Sequence, residues 1–148
     1  GTYHIRPMVM ADYDAVYALW ASTPGLGCNS VDDSRPGIAA FLLRNPATNF
    51  VAVAGEEIVG SLLCGHDGRR GYLYHAAVRA DMQNRGVGAR LVRSALDALE
   101  REGISRACLR VFVDNTSGNA FWEKLGFTAR DDLIFRNKIL GDVKRLTT

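Results

Sequence analysis

The sequence has few cysteines, and their arrangement is not typical of disulfide-rich proteins or of proteins with cysteine-rich metal sites. Only three occur in 148 residues, Cys28, Cys64 and Cys108. An odd number without regular spacing predicts neither a disulfide framework nor a cysteine-rich metal site. Cys64 and Cys108 lie in apolar runs, where a cysteine behaves as a small core residue. We therefore expect a protein of the reducing cytoplasm that holds no metal ion.

Long apolar runs are also missing. No stretch approaches the ~18 apolar residues of a membrane span, and the first residues lack the pattern of a signal peptide. The net charge of +2 and the pI of 8.6 are only mildly basic, which is too little to predict a nucleic-acid-binding surface. Neither repeats nor low-complexity segments divide the chain. We expect a single domain over residues 1–148, without a membrane or nucleic-acid partner.

One segment combines the features of a phosphate-binding loop. Residues 83–90 read Gln-Asn-Arg-Gly-Val-Gly-Ala-Arg, and a helix-forming run follows at once. Gly86 and Gly88 allow the backbone to approach a ligand closely. The start of a helix presents unpaired N–H groups and the positive end of its dipole. With further donors on Gln83, Arg85 and Arg90, this segment is predicted to bind a phosphate or pyrophosphate.

Two well-known phosphate loops are excluded by what this segment lacks. A dinucleotide-binding loop needs a third glycine three residues after the second, and Leu91 stands there. A Walker A loop needs Gly-Lys-Ser/Thr, which is missing. A plain strand–helix turn that uses two glycines remains the alternative.

The rest of the pattern predicts the order β-α-α-β-β-β-α-β-α-β. Predicted helices cover Tyr13–Ala21, Arg35–Arg44, Gly86–Glu102 and Thr116–Leu125. Predicted strands cover Tyr3–Arg6, Phe50–Ala54, Ile58–Gly65, Tyr72–Val78, Arg106–Val113 and Phe127–Ile139. The strand–helix–strand unit from Tyr72 to Val113 should be a right-handed parallel crossover. A ligand then lies at the carboxyl ends of these two strands, beside Gly86.

Two motifs, in this order, resemble those of the GNAT superfamily of N-acetyltransferases. The first is the strand end Ala76-Ala77-Val78 followed by the loop from Gln83 to Gly88, which looks like the family's pyrophosphate loop. The second is residues 115–127, which looks like its asparagine-led helix closing in Leu-Gly-Phe. The resemblance covers nearly the whole chain. It implies an α/β protein with a mixed sheet and the three-layer acyl-CoA N-acyltransferase fold of GNAT proteins.

The resemblance also implies how acetyl-CoA is held as co-substrate. The pantetheine arm adds like a strand to the end of Tyr72–Val78, which splays apart from the next strand, and N–H groups near Ala77 and Val78 polarise the thioester carbonyl. Asn115 bonds the pantetheine, caps the next helix, or does both. The expected cofactor-binding residues are Ala76, Ala77, Val78, Gln83, Asn84, Arg85, Gly86, Val87, Gly88, Ala89, Asn115, Phe121 and Trp122.

The proton transfers are less well marked. Many family members have a tyrosine where Trp122 stands, and an indole is not a useful proton source. His75 is the candidate base because its intrinsic pKa lies near neutrality, and alternation places it opposite Tyr74 and Ala76. A hydrogen-bonded core histidine, a role for His66 or Asp67, and a water chain are the alternatives.

The acceptor is expected to be a small-molecule amine or a peptide or protein amine. Trp20 and Tyr74 are the candidate substrate residues, although the helical spacing of Trp20 with Val16 is equally typical of core. The predicted function is transfer of the acetyl group to a primary amine by direct attack in a ternary complex. A non-catalytic acyl-CoA-binding or sensing module is the alternative. The chain is expected to act as a monomer or homodimer.

Overall fold

A computed structural model describes residues 2–147 and contains one five-stranded sheet in the order β1-β2-β3-β4-β5. Neighbours from β1 to β4 are antiparallel, whereas β4 and β5 are parallel, as the crossover between them predicts. The strands are β1 (His4–Pro7), β2 (Phe50–Ala54), β3 (Glu57–His66), β4 (Gly71–Val78) and β5 (Ala107–Cys108).

The helices follow the predicted positions closely. They are α1 (Tyr13–Ala21), α2 (Arg35–Arg44), α3 (Val87–Arg101) and α4 (Thr116–Lys124). The Ser34 side chain begins α2 by accepting a hydrogen bond from the Gly37 N–H, as an N-cap residue does. No helix within residues 2–147 is long and apolar enough to cross a membrane.

The sheet lies between two helical layers. On one face α3 buries Val87, Leu91, Ala95 and Leu99, which recur at helical spacing. On the other face α1 and α2 bury Val16, Leu19, Trp20, Ile38 and Leu42. Gly60 allows the close approach of α3, because a Cβ there would lie 3.1 Å from both Leu91 and Val87. The predicted three-layer α/β fold is thus confirmed.

Two predicted strands are corrected. The strand expected over Arg106–Val113 pairs with β4 only at Ala107 and Cys108, and Val113 is 98% exposed. The final strand expected over Phe127–Ile139 does not form, and the described chain ends its β-α pattern at α4. The segment Arg106–Val113 has the apolar composition of a strand, whereas Phe127–Ile139 carries five charged residues. A strand needs a neighbouring ladder, however, and the chain leaves β4 after Cys108.

A bulge in β4 corrects the predicted orientation of His75. Ser61 of β3 faces Ala77 and Leu63 faces Tyr74, so two residues of β4 stand opposite Leu62 alone. His75 has a positive φ of 52° and packs beside Trp20 of α1. The side chains of Tyr74 and His75 therefore both face the α1–α2 layer, because a bulge breaks the period of two.

Candidate active site

A gap between β4 and β5 forms the centre of the candidate site. The two strands pair only through Gly71 with Ala107 and Tyr72 with Cys108, and β4 continues to Val78. The predicted splaying of this strand pair is confirmed. Arg79 N–H donates to Val59 O of β3 at 2.8 Å, so the peptide groups of the preceding residue, Val78, point away from β3 and toward the gap.

The amino end of α3 lies at the end of β4. Asn84 and Gly86 adopt left-handed conformations with φ of 63° and 78°, which turn the chain into the helix. Gly86 is the N-cap and provides no side-chain cap. The first intrahelical bond runs from Arg90 N–H to Gly86 O, at 3.1 Å. The N–H groups of residues 87–89 precede that bond and suit an anion.

Gly88 lies where three elements meet. A Cβ on Gly88 would be 3.1 Å from the ring of Phe121 in α4 and 3.7 Å from Val78 of β4. Its missing side chain lets α4 pack against the start of α3 and the end of β4. The two motifs found in the sequence, which are about 30 residues apart, are thereby brought into contact.

The polar side chains of the loop divide between different partners. Gln83 Nε2 donates to Val78 O at 3.1 Å, so in this structure it holds the end of β4. The Arg90 guanidinium lies over the ring of Tyr3, 5.2 Å from its centre. Arg85 is exposed beside Gly86. Of the three donors predicted from the sequence, Arg85 is the one whose position best suits an incoming phosphate.

Asn115 and Trp122 both have structural contacts. Asn115 Oδ1 accepts the Gly118 N–H at 2.9 Å and caps α4, as predicted. Its Nδ2 lies 3.1 Å from the position of a Cβ on Gly25, at the edge of the loop after α1. The Trp122 indole packs edge-on against Phe121 and Phe127, with ring centres 4.9 and 5.2 Å apart. Trp122 and Phe121 also pack against the core between the sheet and α3, so Trp122 helps to hold α4 in place.

Of the two predicted acceptor residues, only Tyr74 reaches the surface. Trp20 is fully buried and its Nε1 donates to Ser61 Oγ at 3.2 Å, so the core interpretation of Trp20 is the one that the structure supports. Tyr74 packs edge-on against Phe41 and lines a shallow groove of about 180 Å³ between β4 and α2. Burial raises the pKa of the Tyr74 phenol, which keeps it neutral.

His75 lies in a buried polar cluster that the sequence did not predict. Its Nε2 is 2.6 Å from Asp33 Oδ1 and 3.9 Å from Cys28 Sγ. Burial alone lowers the pKa of His75, but hydrogen bonds with Asp33 and Cys28, together with the Asp33 charge, outweigh burial and raise the pKa to about 9. The imidazole is then protonated at neutral pH. No sequence pattern marks this cluster, because 42 residues separate Asp33 from His75.

The alternative bases lie at the other end of β4. His66 Nε2 is 2.8 Å from Glu102 Oε1 in a partly exposed pair. Asp67 accepts the backbone N–H groups of Arg69 and Arg70 in the turn before β4, and these bonds lower the pKa of its carboxyl. Both side chains stabilise the turn before Gly71, and both also line the groove beside Tyr74.

Comparison with known proteins agrees with this geometry. Residues 13–127 match the acetyltransferase (GNAT) family. An acetyltransferase from Pectobacterium atrosepticum is 30% identical over 142 residues, which cover 93% of this chain and 96% of that protein.

Solved structures show the same fold at low sequence identity. The NatC complex bound to Gag peptide and CoA has a TM-score of 0.74 and 21% identity, over 88% of this chain and 87% of that one. AAC(6')-Iy, in complex with the bisubstrate analogue CoA-S-monomethyl-acetylneamine, has a TM-score of 0.69 and 18% identity, over 95% of this chain and 100% of that one. This chain therefore belongs to the acetyltransferase (GNAT) family.

Proposed function

We propose that the chain is one N-acetyltransferase domain, which transfers the acetyl group of acetyl-CoA to a primary amine by direct attack in a ternary complex. The observation that carries this proposal is the gap beyond Tyr72 and Cys108, which opens beside the start of α3. The pyrophosphate binds the N–H groups at residues 87–89, and Arg85 adds a charge. The pantetheine amides then extend along the free edge of β4.

The thioester lies at the end of β4 in this arrangement. The peptide groups of Val78 point into the gap, because the N–H of the next residue, Arg79, donates to Val59 O of β3. A backbone N–H in this position stabilises the negative charge that develops on the carbonyl oxygen during attack. The related structures that bind CoA or a CoA-derived analogue support the choice of donor, and the curated relative supports the reaction class.

We also propose that solvent, rather than His75, takes the proton from the attacking amine. The Asp33 carboxylate holds the His75 imidazole in its charged form, which cannot accept a proton at neutral pH. Solvent likewise protonates the departing thiolate, because Trp122 packs among aromatic rings and has no acidic proton.

A pH–rate profile tests the role of His75. The His75→Gln variant should keep the shape of the profile of kcat/KM, because solvent remains the base. The comparison uses saturating acetyl-CoA so that donor binding does not contribute. If the wild type has a rising limb that the variant loses, His75 is the base after all.

The acceptor is proposed at the level of chemical class: a small amine or a peptide or protein amine. The two structural relatives bind a peptide and an aminoglycoside-derived analogue respectively. The groove beside Tyr74 and Phe41 supplies an aromatic wall for either class. The free thiols of Cys28, Cys64 and Cys108 are consistent with a cytoplasmic location, which is part of the proposal.

Release of CoA thiol on addition of single amines tests the proposed activity. Amine-dependent release, from a panel that includes peptides and aminoglycosides, supports the transferase. Tight binding of CoA with no release across the panel supports the alternative, a non-catalytic acyl-CoA sensor. The alternative is favoured by Trp122, because a tryptophan stands where a tyrosine is usual.

A further inference from the structure

Three metal-ligating side chains from separate segments converge on one point beneath the candidate acceptor side. Cys28 belongs to the loop after α1, Asp33 precedes α2, and His75 occupies the bulge of β4. One donor atom from each lies within 4.8 Å of the other two.

This arrangement differs from a nucleophilic triad. In a Cys-His-Asp triad the carboxylate binds one imidazole nitrogen and the thiol faces the other. Here Asp33 Oδ1 and Cys28 Sγ both approach Nε2, at 2.6 and 3.9 Å. The three donor atoms therefore lie on the same side of the imidazole, within 4.8 Å of one another, where one ion could contact them all.

The two distances from His75 Nε2 can be compared with those between the ligands of a tetrahedral ion. Bonds of about 2.0 Å to nitrogen and oxygen and about 2.3 Å to sulfur put the ligand atoms of Zn²⁺ roughly 3.3–3.6 Å apart. The distances of 2.6 Å to Asp33 and 3.9 Å to Cys28 lie on either side of that range. Small side-chain movements in opposite senses would accommodate the ion.

Burial and charge also suit a borderline divalent cation. Cys28 is 1% exposed, Asp33 is 3% exposed and the His75 side chain is 11% exposed. Binding of the ion replaces the proton on His75 Nε2 and the proton of the Cys28 thiol, so the thiolate and the Asp33 carboxylate together neutralise its charge of two. Nitrogen and sulfur ligands favour Zn²⁺ or Co²⁺ over the hard cations Mg²⁺ and Ca²⁺.

The surrounding contacts orient each donor. Asp33 Oδ2 accepts the Asn29 N–H at 2.7 Å, which leaves Oδ1 to face His75. The backbone of Cys28 bonds the carboxyl-terminal segment, since its N–H donates to Thr147 Oγ1 and its carbonyl accepts the Leu146 N–H. Supporting bonds of this kind fix the ligands of metal sites. His75 itself has a strained backbone, with a positive φ of 52°.

We propose, against the expectation from the cysteine spacing that no metal ion is held, that Cys28, Asp33 and His75 form a binding site for Zn²⁺ or a similar borderline cation, with water as the fourth ligand. No step of the proposed acetyl transfer uses this ion. Its effect is structural: it joins the loop after α1, the start of α2 and the bulge of β4 around the acceptor side of the sheet.

Cobalt substitution of the full chain, without an affinity tag and after treatment with chelator, tests the site. We expect one Co²⁺ per chain, with strong visible absorption of a four-coordinate ion and a thiolate-to-metal charge-transfer band. Zn²⁺ should displace Co²⁺ and raise Tm, whereas Mg²⁺ should do neither. A Co²⁺ spectrum without a thiolate band, or no stoichiometric binding, would overturn the proposal without the need for any variant.

Matched variants locate the site. Cys28→Ser and His75→Gln should each lower the affinity for Co²⁺ by more than about 100-fold. Cys64→Ser removes another buried thiol, and His66→Gln removes another histidine paired with a carboxylate. Both controls should bind as the wild type does. Loss of binding in His66→Gln, or full binding in Cys28→Ser, would assign the ion to a different place.

Discussion

Gly86 and Gly88 lie two residues apart at the start of α3, and the structure requires each for a different reason. Gly86 has a positive φ of 78° and open space where a Cβ would be. Gly88 has no such backbone requirement, but a Cβ there would press on Phe121 at 3.1 Å. A substitution at Gly86 thus strains the turn that presents the N–H groups, whereas one at Gly88 separates α3 from α4.

A pair of alanine variants separates backbone strain from ligand binding. Gly86→Ala and Gly68→Ala both place a Cβ at a positive φ with no neighbour within 4 Å. Each should lower the free energy of unfolding by about 1 kcal/mol. Gly86→Ala alone should also weaken acetyl-CoA binding, as measured by calorimetry, because Gly68 lies in the turn before β4. If the two variants bound acetyl-CoA with equal affinity, the Gly86 turn would have only a structural role.

A second prediction at residue scale concerns pH. The Asp12 carboxylate accepts hydrogen bonds from Nη1 and Nη2 of Arg6, both at 2.8 Å, and from the Val9 N–H at 2.9 Å. The Arg6 hydrogen bonds lower the pKa of Asp12 below its unfolded value, so this contribution to stability is present above the unfolded pKa and lost as pH falls through the folded one.

At neutral pH the Asp12→Asn variant should therefore have a free energy of unfolding about 1–2 kcal/mol below that of the wild type, and at low pH the difference should be smaller. The figure is kept low because Arg6 is partly exposed and solvent screens the pair. Urea unfolding between neutral and acidic pH measures the difference. Asp14→Asn is the matched control, since the Asp14 carboxylate is exposed in its pair with Arg35. If the free energies of unfolding of the wild type and Asp12→Asn differed by the same amount at every pH, the lowered pKa of Asp12 would be contradicted.

At the scale of secondary-structure elements, α4 connects the two motifs. Asn115 caps its first turn and Phe121 packs on Gly88 at the start of α3. The cap uses only Oδ1 of Asn115, so Nδ2 is the atom that can donate to the pantetheine. The two roles considered for Asn115 therefore depend on different atoms.

Two substitutions at Asn115 distinguish these roles. Asn115→Asp keeps an oxygen that accepts the Gly118 N–H but removes the amide donor. We expect it to preserve Tm and to weaken CoA binding. Asn115→Ala removes both and should also lower stability by about 1 kcal/mol. Unchanged CoA affinity in Asn115→Asp, with Tm lowered only in Asn115→Ala, would restrict Asn115 to the cap.

The sequence predicted the elements with local signals and missed those set by distant partners. The predicted and observed bounds of α2 agree, because the capping residues Ser34 and Asn45 mark its two ends in the sequence. The strand near Val113 was predicted too long, because β propensity does not reveal whether a neighbouring strand continues beside it. The bulge at His75 was not predicted for a similar reason. It exists only because two residues of β4 lie opposite one residue of β3, Leu62, and the sequence of β4 does not show its pairing.

At the scale of the whole molecule, the sheet separates α3 on one face from α1 and α2 on the other. The proposed donor side uses β4, α3 and α4, and its residues were predicted from sequence motifs. The proposed acceptor side uses α1, α2 and the loop between them, and no motif marks it. Trp20 was considered a substrate residue, but it is buried beneath that loop.

The central claim is that acetyl-CoA binds where β4 and β5 diverge at the start of α3. Isothermal titration of the full chain with acetyl-CoA tests it most directly, with NADH as a dinucleotide control. We predict one site per chain, saturable below millimolar ligand, for acetyl-CoA, and no heat of binding for NADH. Absence of acetyl-CoA binding at millimolar concentration, by protein shown to be folded, would contradict the claim.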